Sequence, residues 1–264
     1  MLHLPALPGS PRGDQSLDEI EARVVAEVRL LHEVGFHAAI IENFGDVPFF
    51  KDRVDATTIA AMTRLARAVR TAAPELPLGI NVLRNDARAA LAVAAAAGAK
   101  FIRVNVHVGA TATDQGVIEG RAAETLRARA ALGADVAIWS DVHVKHGRSL
   151  AHAAITDEAE DAVRRGLADA LVVSGRGTGE ATSLDDLRAV AELDLGVPIY
   201  VGSGITVDTV ESLLDIADGV IVGTSIKSDN KTTNPIDKRR AERLVEKTRL
   251  RILEQTKKRG QAPF

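Results

Sequence analysis

The strongest constraint on the fold is a regular alternation of short β-rich runs with helical stretches rich in Ala, Leu, Glu and Arg over the 264 residues. Strands that alternate with helices in this way pair in parallel, because each helix carries the chain back to the start of the next strand. The predicted strands are residues 1–4, 37–43, 76–82, 100–107, 134–145, 169–174, 197–201 and 218–222. The predicted helices are about 17–34, 56–72, 87–97, 119–132, 157–165, 183–192 and 207–216, followed by a last amphipathic helix at about 235–257.

The polarity pattern of two strands distinguishes a closed barrel from an open sheet. Arg103 and Asn105 alternate with Val and Ile in the fourth strand, and Asp141 and Lys145 do so in the fifth. An open sheet covered by helices on both faces would not readily bury such charges, whereas a barrel carries polar groups at the carboxyl ends of its strands. The sequence therefore predicts an α/β fold, a (β/α)8 TIM barrel of parallel strands. We expect one domain over residues 1–264, with an extra C-terminal helix.

Composition excludes several classes of function. The net charge of −3 gives no reason to expect nucleic-acid binding, and the absence of cysteine excludes disulfides and thiolate catalysis. The N-terminus lacks a basic segment followed by an apolar run, and no stretch of about 18 apolar residues can span a bilayer. We therefore expect a soluble cytoplasmic protein without a transmembrane segment. No cofactor is indicated.

Two glycine-containing turns after the last two strands predict a phosphate site. Glycine lets backbone N–H groups approach phosphate oxygens, and the loops after strands seven and eight are the usual phosphate site of such barrels. Tight turns without a ligand are the alternative interpretation. The candidate phosphate-binding residues are Gly202, Ser203, Gly204, Gly223, Thr224 and Ser225. A third glycine-rich loop follows strand six and contains Gly175 and Gly177; a mobile loop beside the phosphate site and a simple flexible turn are both consistent with it.

Asp141, His143 and Lys145 share one face at the end of the fifth strand. Asp141 is predicted to act as an acid or base, and Lys145 as an electrostatic or Schiff-base group. A structural ion pair is the alternative, because an inward charge is costly unless it is paired. In the catalytic interpretation, Asp141→Asn abolishes turnover and leaves the fold intact.

Four more side chains are expected to complete a polar ring in the upper barrel: Glu42, Asn81, Arg103 and Asn105. Arg103 and Asn105 are predicted to orient the substrate, although a pairing of Arg103 with Asp141 or Glu42 would serve structure alone. A metal held by residues such as His3, Glu42, His107, Asp141 and His143 is not favoured, because no adjacent ligand motif appears. Asp86 is predicted to cap the helix that starts at 87, and the loop around 114–116 is a candidate lid.

The chain resembles the BtpA family, whose members are named for membrane-complex and photosystem I biogenesis. The resemblance covers nearly the whole chain, in segments such as Glu42-Asn43-Phe44-Gly45-Asp46 and Asp141-Val142-His143-Val144-Lys145-His146. The matching segments are 3–11, 42–49, 79–86, 101–105, 113–116, 141–146, 201–204, 223–224 and 234–237. Members usually carry a few more residues before the His3-Leu4-Pro5 segment, which indicates either a misplaced start or a short first strand here. The resemblance implies a barrel of the ribulose-phosphate-binding type.

Two functional hypotheses follow. The first is an enzyme that binds a phosphorylated, sugar-like small molecule and catalyses isomerisation, epimerisation or aldol-type cleavage. The second is a non-catalytic assembly factor that contacts a membrane complex such as photosystem I from outside the bilayer. Apolar positions of the last helix, including Leu244 and Val245, are expected to pack on the barrel or on a second subunit, and a homo-oligomer is predicted.

Overall fold

A computed structural model describes residues 1–144, 146–175 and 182–258. In these parts of the chain, eight strands form one curled parallel sheet in the order β1-β2-β3-β4-β7-β9-β10-β11. The backbone nitrogen of Met1 donates to the carbonyl oxygen of Val222 at 2.6 Å, so the first and last strands meet. The strands are β1 (Leu2–His3), β2 (Ala39–Glu42), β3 (Leu78–Asn81), β4 (Phe101–Val104), β7 (Ala137–Val142), β9 (Ala170–Val173), β10 (Ile199–Val201) and β11 (Gly219–Val220). The predicted (β/α)8 barrel is confirmed.

Helices follow the barrel strands and cover the outside of the sheet. The helices are α1 (Leu17–Val34), α2 (Ala56–Ala72), α3 (Ala87–Ala97), α4 (Ala122–Leu132), α5 (Ile155–Arg164), α6 (Leu184–Ala191), α7 (Val210–Leu214) and α8 (Lys238–Lys258). The bounds of α1 to α3 coincide with the predicted ones. Side-chain caps mark the start of α1 and of α3, whereas α2 begins after Asp55 without a side-chain cap hydrogen bond. Ser16 and Glu19 form a capping box at the start of α1, and Gly35 ends it with φ +97°. Asp86 accepts from the N–H of Ala89, as its predicted capping role requires.

The described residues form three hydrophobic clusters, and the two larger ones build the core of the barrel. An aliphatic shell lies between the strands and the helices, as the alternation of β4 and β7 predicts. Inside the barrel, Trp139 stacks between Phe101 and Tyr200, with ring centroids 3.9 Å and 4.1 Å apart. Gly79 is required beside this stack, because a Cβ atom there would lie 2.2 Å from Cε2 of Phe101. The three rings therefore form a rigid floor below the polar ends of the strands.

A small antiparallel sheet is an addition that the sequence did not predict. It consists of β5 (Ala110–Thr113), β6 (Gly116–Glu119) and β8 (Gly147–Ser149), paired in the order β6-β5-β8. The expected loop at 114–116 is the turn of a hairpin, and Glu119 ends a strand and does not open the next helix. The fifth predicted strand ends at Val142 rather than at 145, because His143 adopts φ +51° and turns the chain.

The C-terminal helix packs on the barrel through the buried side chains of Leu244 and Val245. It contacts α1 and α7, so these apolar positions serve the fold of this chain. The predicted homo-oligomer remains a prediction. Among the described residues, no helix is long and apolar enough to cross a membrane.

Candidate functional site

A cavity of about 770 Å³ opens at the carboxyl ends of the barrel strands. Its size is within the range of pockets that enclose a small organic ligand, roughly 300–1,000 Å³. Four of the predicted ring residues line it, and so do both predicted phosphate loops. The predicted site residues on its wall are Glu42, Arg103, Asn105, Asp141, Gly202, Ser203, Gly204, Gly223, Thr224 and Ser225. The fold thus brings together groups that are far apart in the sequence.

The charged centre of the cavity is a bidentate ion pair between neighbouring strands. Nε of Arg103 donates to Oδ1 of Asp141 at 2.7 Å, and Nη2 of Arg103 donates to Oδ2 at 3.0 Å. Nδ2 of Asn105 also donates to Oδ2, at 2.7 Å. Burial by itself would lower the pKa of Arg103, but the charge and hydrogen bonds of Asp141 raise it above its ordinary value. Asp141 is 1% exposed, and both of its oxygens are engaged.

Glu42 supplies a second carboxylate on the same wall, with fewer hydrogen bonds than Asp141. Its Oε2 accepts a hydrogen bond of 2.6 Å from Nδ2 of Asn81, which lies one strand further along the sheet. Its Oε1 lies 3.7 Å from Nε2 of His3, at the end of β1. Asn81 is fully buried behind the wall of the cavity and supports Glu42 from there. Glu42 therefore lines the cavity with a fixed orientation, held by Asn81 and close to His3.

The two predicted phosphate loops follow the adjacent strands β10 and β11, and both line the cavity. The N–H of Gly202 donates to the carbonyl oxygen of Val173 at 2.8 Å, so strand pairing uses this amide. Gly223 precedes a 3-10 turn at Thr224–Ile226, and the first N–H groups of such a turn have no acceptor within it. Oγ of Ser225 is buried and has no hydrogen-bond partner among the described residues. Ser225 is thus a polar group on the cavity wall that suits an anionic ligand.

Several residues singled out in the sequence lie elsewhere. His143 turns away from the cavity, and its Nε2 lies 3.8 Å from Oε2 of Glu158 on α5. His107 contacts the carbonyl oxygen of Gly166 through Nε2, and burial lowers the pKa of its imidazole. Gly175 is buried at the end of β9. Lys145 and Gly177 lie outside the described residues.

Glu158 is a buried carboxyl group that the sequence pattern does not reveal. Burial raises its pKa from 4.5 to about 7, whereas the charge of His152 and the N–H of His143 act in the opposite direction. Between pH 4.5 and about 7, the unfolded chain loses this proton while the folded chain keeps it. The free energy of unfolding therefore falls as the pH rises through this window.

We expect Glu158→Gln to stabilise the protein at pH 8 by about 1–3 kcal/mol, because each pKa unit corresponds to about 1.4 kcal/mol. The gain should be much smaller at pH 5, where the folded wild type is protonated. Urea unfolding at both pH values measures this difference, and Glu160→Gln on the exposed side of α5 is the matched control. A gain of equal size at both pH values would contradict the assignment.

Sequence reasoning missed Arg84 and an apolar wall. Arg84 follows β3 and lines the cavity while only 7% exposed. Burial lowers the pKa of its guanidinium, and the charges of Asp141, Glu42 and Asp114 partly oppose this. Phe44 and Phe49 add apolar surface from the loop after β2. The segment Leu83-Arg84-Asn85-Asp86 shows a charged side chain directly after a strand, which is a signal for a site residue. Strand periodicity does not apply to a loop, however, so it could not predict where Arg84 points.

Metal binding finds no support within residues 1–144, 146–175 and 182–258. No group of three or more His, Cys, Asp or Glu side chains converges there in a way that suits a metal ion. Two of the carboxylates that line the cavity, Asp141 and Glu42, are engaged by Arg103, Asn105 and Asn81 instead.

These features define a (β/α)8 barrel with a polar cavity at the carboxyl ends of its strands. Residues 1–250 match the model of the BtpA family, and the chain belongs to that family. It is 43% identical over 246 residues to the photosystem I biogenesis protein BtpA of Synechocystis sp., an alignment that covers 93% of this chain and 85% of that protein.

Solved structures with the same fold are much more distant in sequence. The phosphoribosyl anthranilate isomerase of Thermus thermophilus superposes with a TM-score of 0.57 and 14% identity, over 86% of this chain and 94% of that one. The 3-keto-L-gulonate-6-phosphate decarboxylase of Vibrio cholerae gives a TM-score of 0.52 and 15% identity, over 95% and 99% of the two chains. At this level of identity, the likeness concerns the fold alone.

Proposed function

We propose that this protein is an enzyme that binds a small phosphorylated, sugar-like metabolite in the cavity at the carboxyl end of the barrel. One observation carries the proposal: the two glycine-containing loops and the buried carboxylates Glu42 and Asp141 line the same cavity. A phosphate group bound by the two loops at one edge of the cavity would hold the rest of the ligand next to Glu42 and Asp141. Positioning of this kind is how barrel enzymes apply binding energy to a reacting centre. The two fold neighbours named above are called a phosphoribosyl isomerase and a sugar-phosphate decarboxylase, which is consistent with such a ligand.

The contacts suggest a division of roles. Asp141 is saturated by Arg103 and Asn105, so we assign it to holding the arginine and the asparagine in position. Glu42 keeps one oxygen toward His3 and the cavity, so we propose it as the group that transfers a proton. Proton abstraction next to a carbonyl group serves isomerisation and epimerisation alike. Lys145 remains a candidate electrostatic or Schiff-base group.

Phosphate binding is the first test of the proposal. Inorganic phosphate at increasing concentration is expected to raise the melting temperature, because a ligand that binds only the folded state stabilises it by mass action. Ser225→Ala should weaken phosphate binding by about fivefold, the loss of roughly one hydrogen bond. Ser212→Ala, on the exposed side of α7, is the matched control and should leave the affinity unchanged. If phosphate at tens of millimolar moves neither melting temperature nor Trp139 fluorescence, the phosphate site is refuted.

The name of the Synechocystis relative supports a second candidate function, a role in assembling a membrane complex. That role needs a binding surface for a protein partner and does not need the polar cavity. Substitutions in the cavity, such as Glu42→Gln, would then leave assembly unaffected. Retained assembly together with no response to any phosphorylated ligand would favour this second function over the enzyme.

A further inference from the structure

The carboxamide of Asn105, on the wall of the cavity, carries a buried and unsatisfied acceptor. Asn105 is 5% exposed, lines the cavity, and its Oδ1 has no hydrogen-bond partner among the described residues. The orientation of this amide is determined by chemistry. Asp141 offers only acceptors, so the NH2 group must face it, and it does so at 2.7 Å. The carbonyl oxygen is thereby directed away from the ion pair.

A buried acceptor of this kind requires a donor. A buried polar group without a partner destabilises the site, and a ligand that donates a hydrogen bond to it removes that cost. Two charged groups beside Asn105 do not supply this donor: Asp141 accepts, and Arg103 directs Nε and Nη2 at that carboxylate. The missing donor is therefore expected from the ligand, and a hydroxyl group is the donor that a sugar-like molecule carries.

The position of Asn105 in the barrel defines where that hydroxyl must lie. Asn105 follows β4, the fourth strand of the sheet, whereas the second phosphate loop follows β11, the eighth. In a closed eight-stranded sheet, these strands are opposite each other. Strands about 4.8 Å apart and tilted by about 36° give a barrel about 15 Å across between backbones. A ligand that reaches both points therefore carries its hydroxyl several carbon atoms away from its phosphate.

We infer that Asn105 is a specificity-determining residue whose Oδ1 accepts a hydrogen bond from a hydroxyl group of a polyhydroxylated phosphate ester, several carbons from the phosphate. This inference rests on the proposed phosphate-binding function and narrows its substrate class. A site built around an unpaired acceptor rejects a ligand that lacks the donor, since binding it would leave the acceptor buried and unsatisfied. The residue thus separates polyol phosphates from alkyl phosphates of the same length.

The test compares three probes: inorganic phosphate, ribitol 5-phosphate and pentyl phosphate, which has the same carbon chain without hydroxyl groups. Dissociation constants are measured by calorimetry and by the fluorescence of Trp139, the single tryptophan, which lies two residues before Asp141. The wild type should bind ribitol 5-phosphate at least about tenfold more tightly than pentyl phosphate. Asn105→Leu should remove most of this preference.

Asn105→Ala is measured in parallel, because it cannot overpack the site if the leucine variant fails to fold. Equal binding of the two esters by the wild type, or an undiminished preference in a folded Asn105 variant, overturns the inference while phosphate binding stands. Absence of binding by all three probes refutes the proposed phosphate site itself. The two failures are therefore distinguishable.

Discussion

Replacing Asp141 by asparagine is expected to lower the free energy of unfolding by about 3–5 kcal/mol, the usual cost of breaking a buried ion pair on one side. The guanidinium of Arg103 is 5% exposed and would lose the carboxylate that it binds through two hydrogen bonds. The new NH2 group would also point at the donors of Arg103 or Asn105. This expectation replaces the one drawn from the sequence, in which asparagine leaves the fold intact because it matches the size of aspartate.

Urea unfolding monitored by circular dichroism measures this loss. Asp185→Asn is the matched control, since it breaks an exposed pair with Arg188 on α6 and should change stability by less than about 1 kcal/mol. The double variant Arg103→Met, Asp141→Leu removes both charges and should be more stable than Asp141→Asn alone. Unchanged stability of the single variant would mean that Arg103 finds compensation elsewhere, and the structural role of Asp141 would be wrong.

The positions of these side chains follow from strand periodicity. Period two places Arg103 and Asn105 on the same face of the fourth strand, and the cost of a charge among helices directs that face inward. The loops after the last two strands were predictable for a similar reason, because glycine marks where a backbone turns tightly or approaches a ligand. Helix bounds were recovered where a cap is local, as at Ser16 and Gly35.

The pairing of these groups could not be predicted, because it depends on register between strands. Arg103 lies opposite Trp139 in the sheet, so its side chain reaches Asp141 two residues further on. A different register would have offered Arg103 to Glu42, as the sequence equally allowed. The small sheet of β5, β6 and β8 could not be predicted either, because its strands of three or four residues are too short to show a periodic pattern.

The departure of His143 from the inward face illustrates a further limit. Its positive φ of 51° ends the strand, and the side chain turns to Glu158 on α5. Histidine tolerates this conformation more readily than most residues, but nothing in a β-rich pattern marks it. The alternation of polar and apolar residues predicted that the inward face continues to Lys145, which lies outside the described residues.

Glu42→Gln is expected to lower turnover by about 10²–10⁴-fold, the usual contribution of a positioned acid or base, and to preserve the fold. Glutamine retains an oxygen that can accept the 2.6 Å hydrogen bond from Asn81, and the bidentate pair of Arg103 with Asp141 stays in place. This contrast with Asp141 separates a chemical effect from a structural one. The proton-transfer role of Glu42 is a proposal that this variant tests directly.

The assay incubates aldose and ketose phosphates in D2O and follows loss of the proton signal on the carbon next to the carbonyl group by NMR. The wild type should exchange that proton, whereas the folded Glu42→Gln variant should do so only slowly. Asp52→Asn, which does not line the cavity and whose carboxylate pairs with half-buried Arg121, is the matched control and should exchange at the wild-type rate. Full exchange by Glu42→Gln, with an unchanged melting temperature, would reject Glu42 as the base. The next candidates would then be His3, whose Nε2 lies 3.7 Å from Glu42, and Lys145.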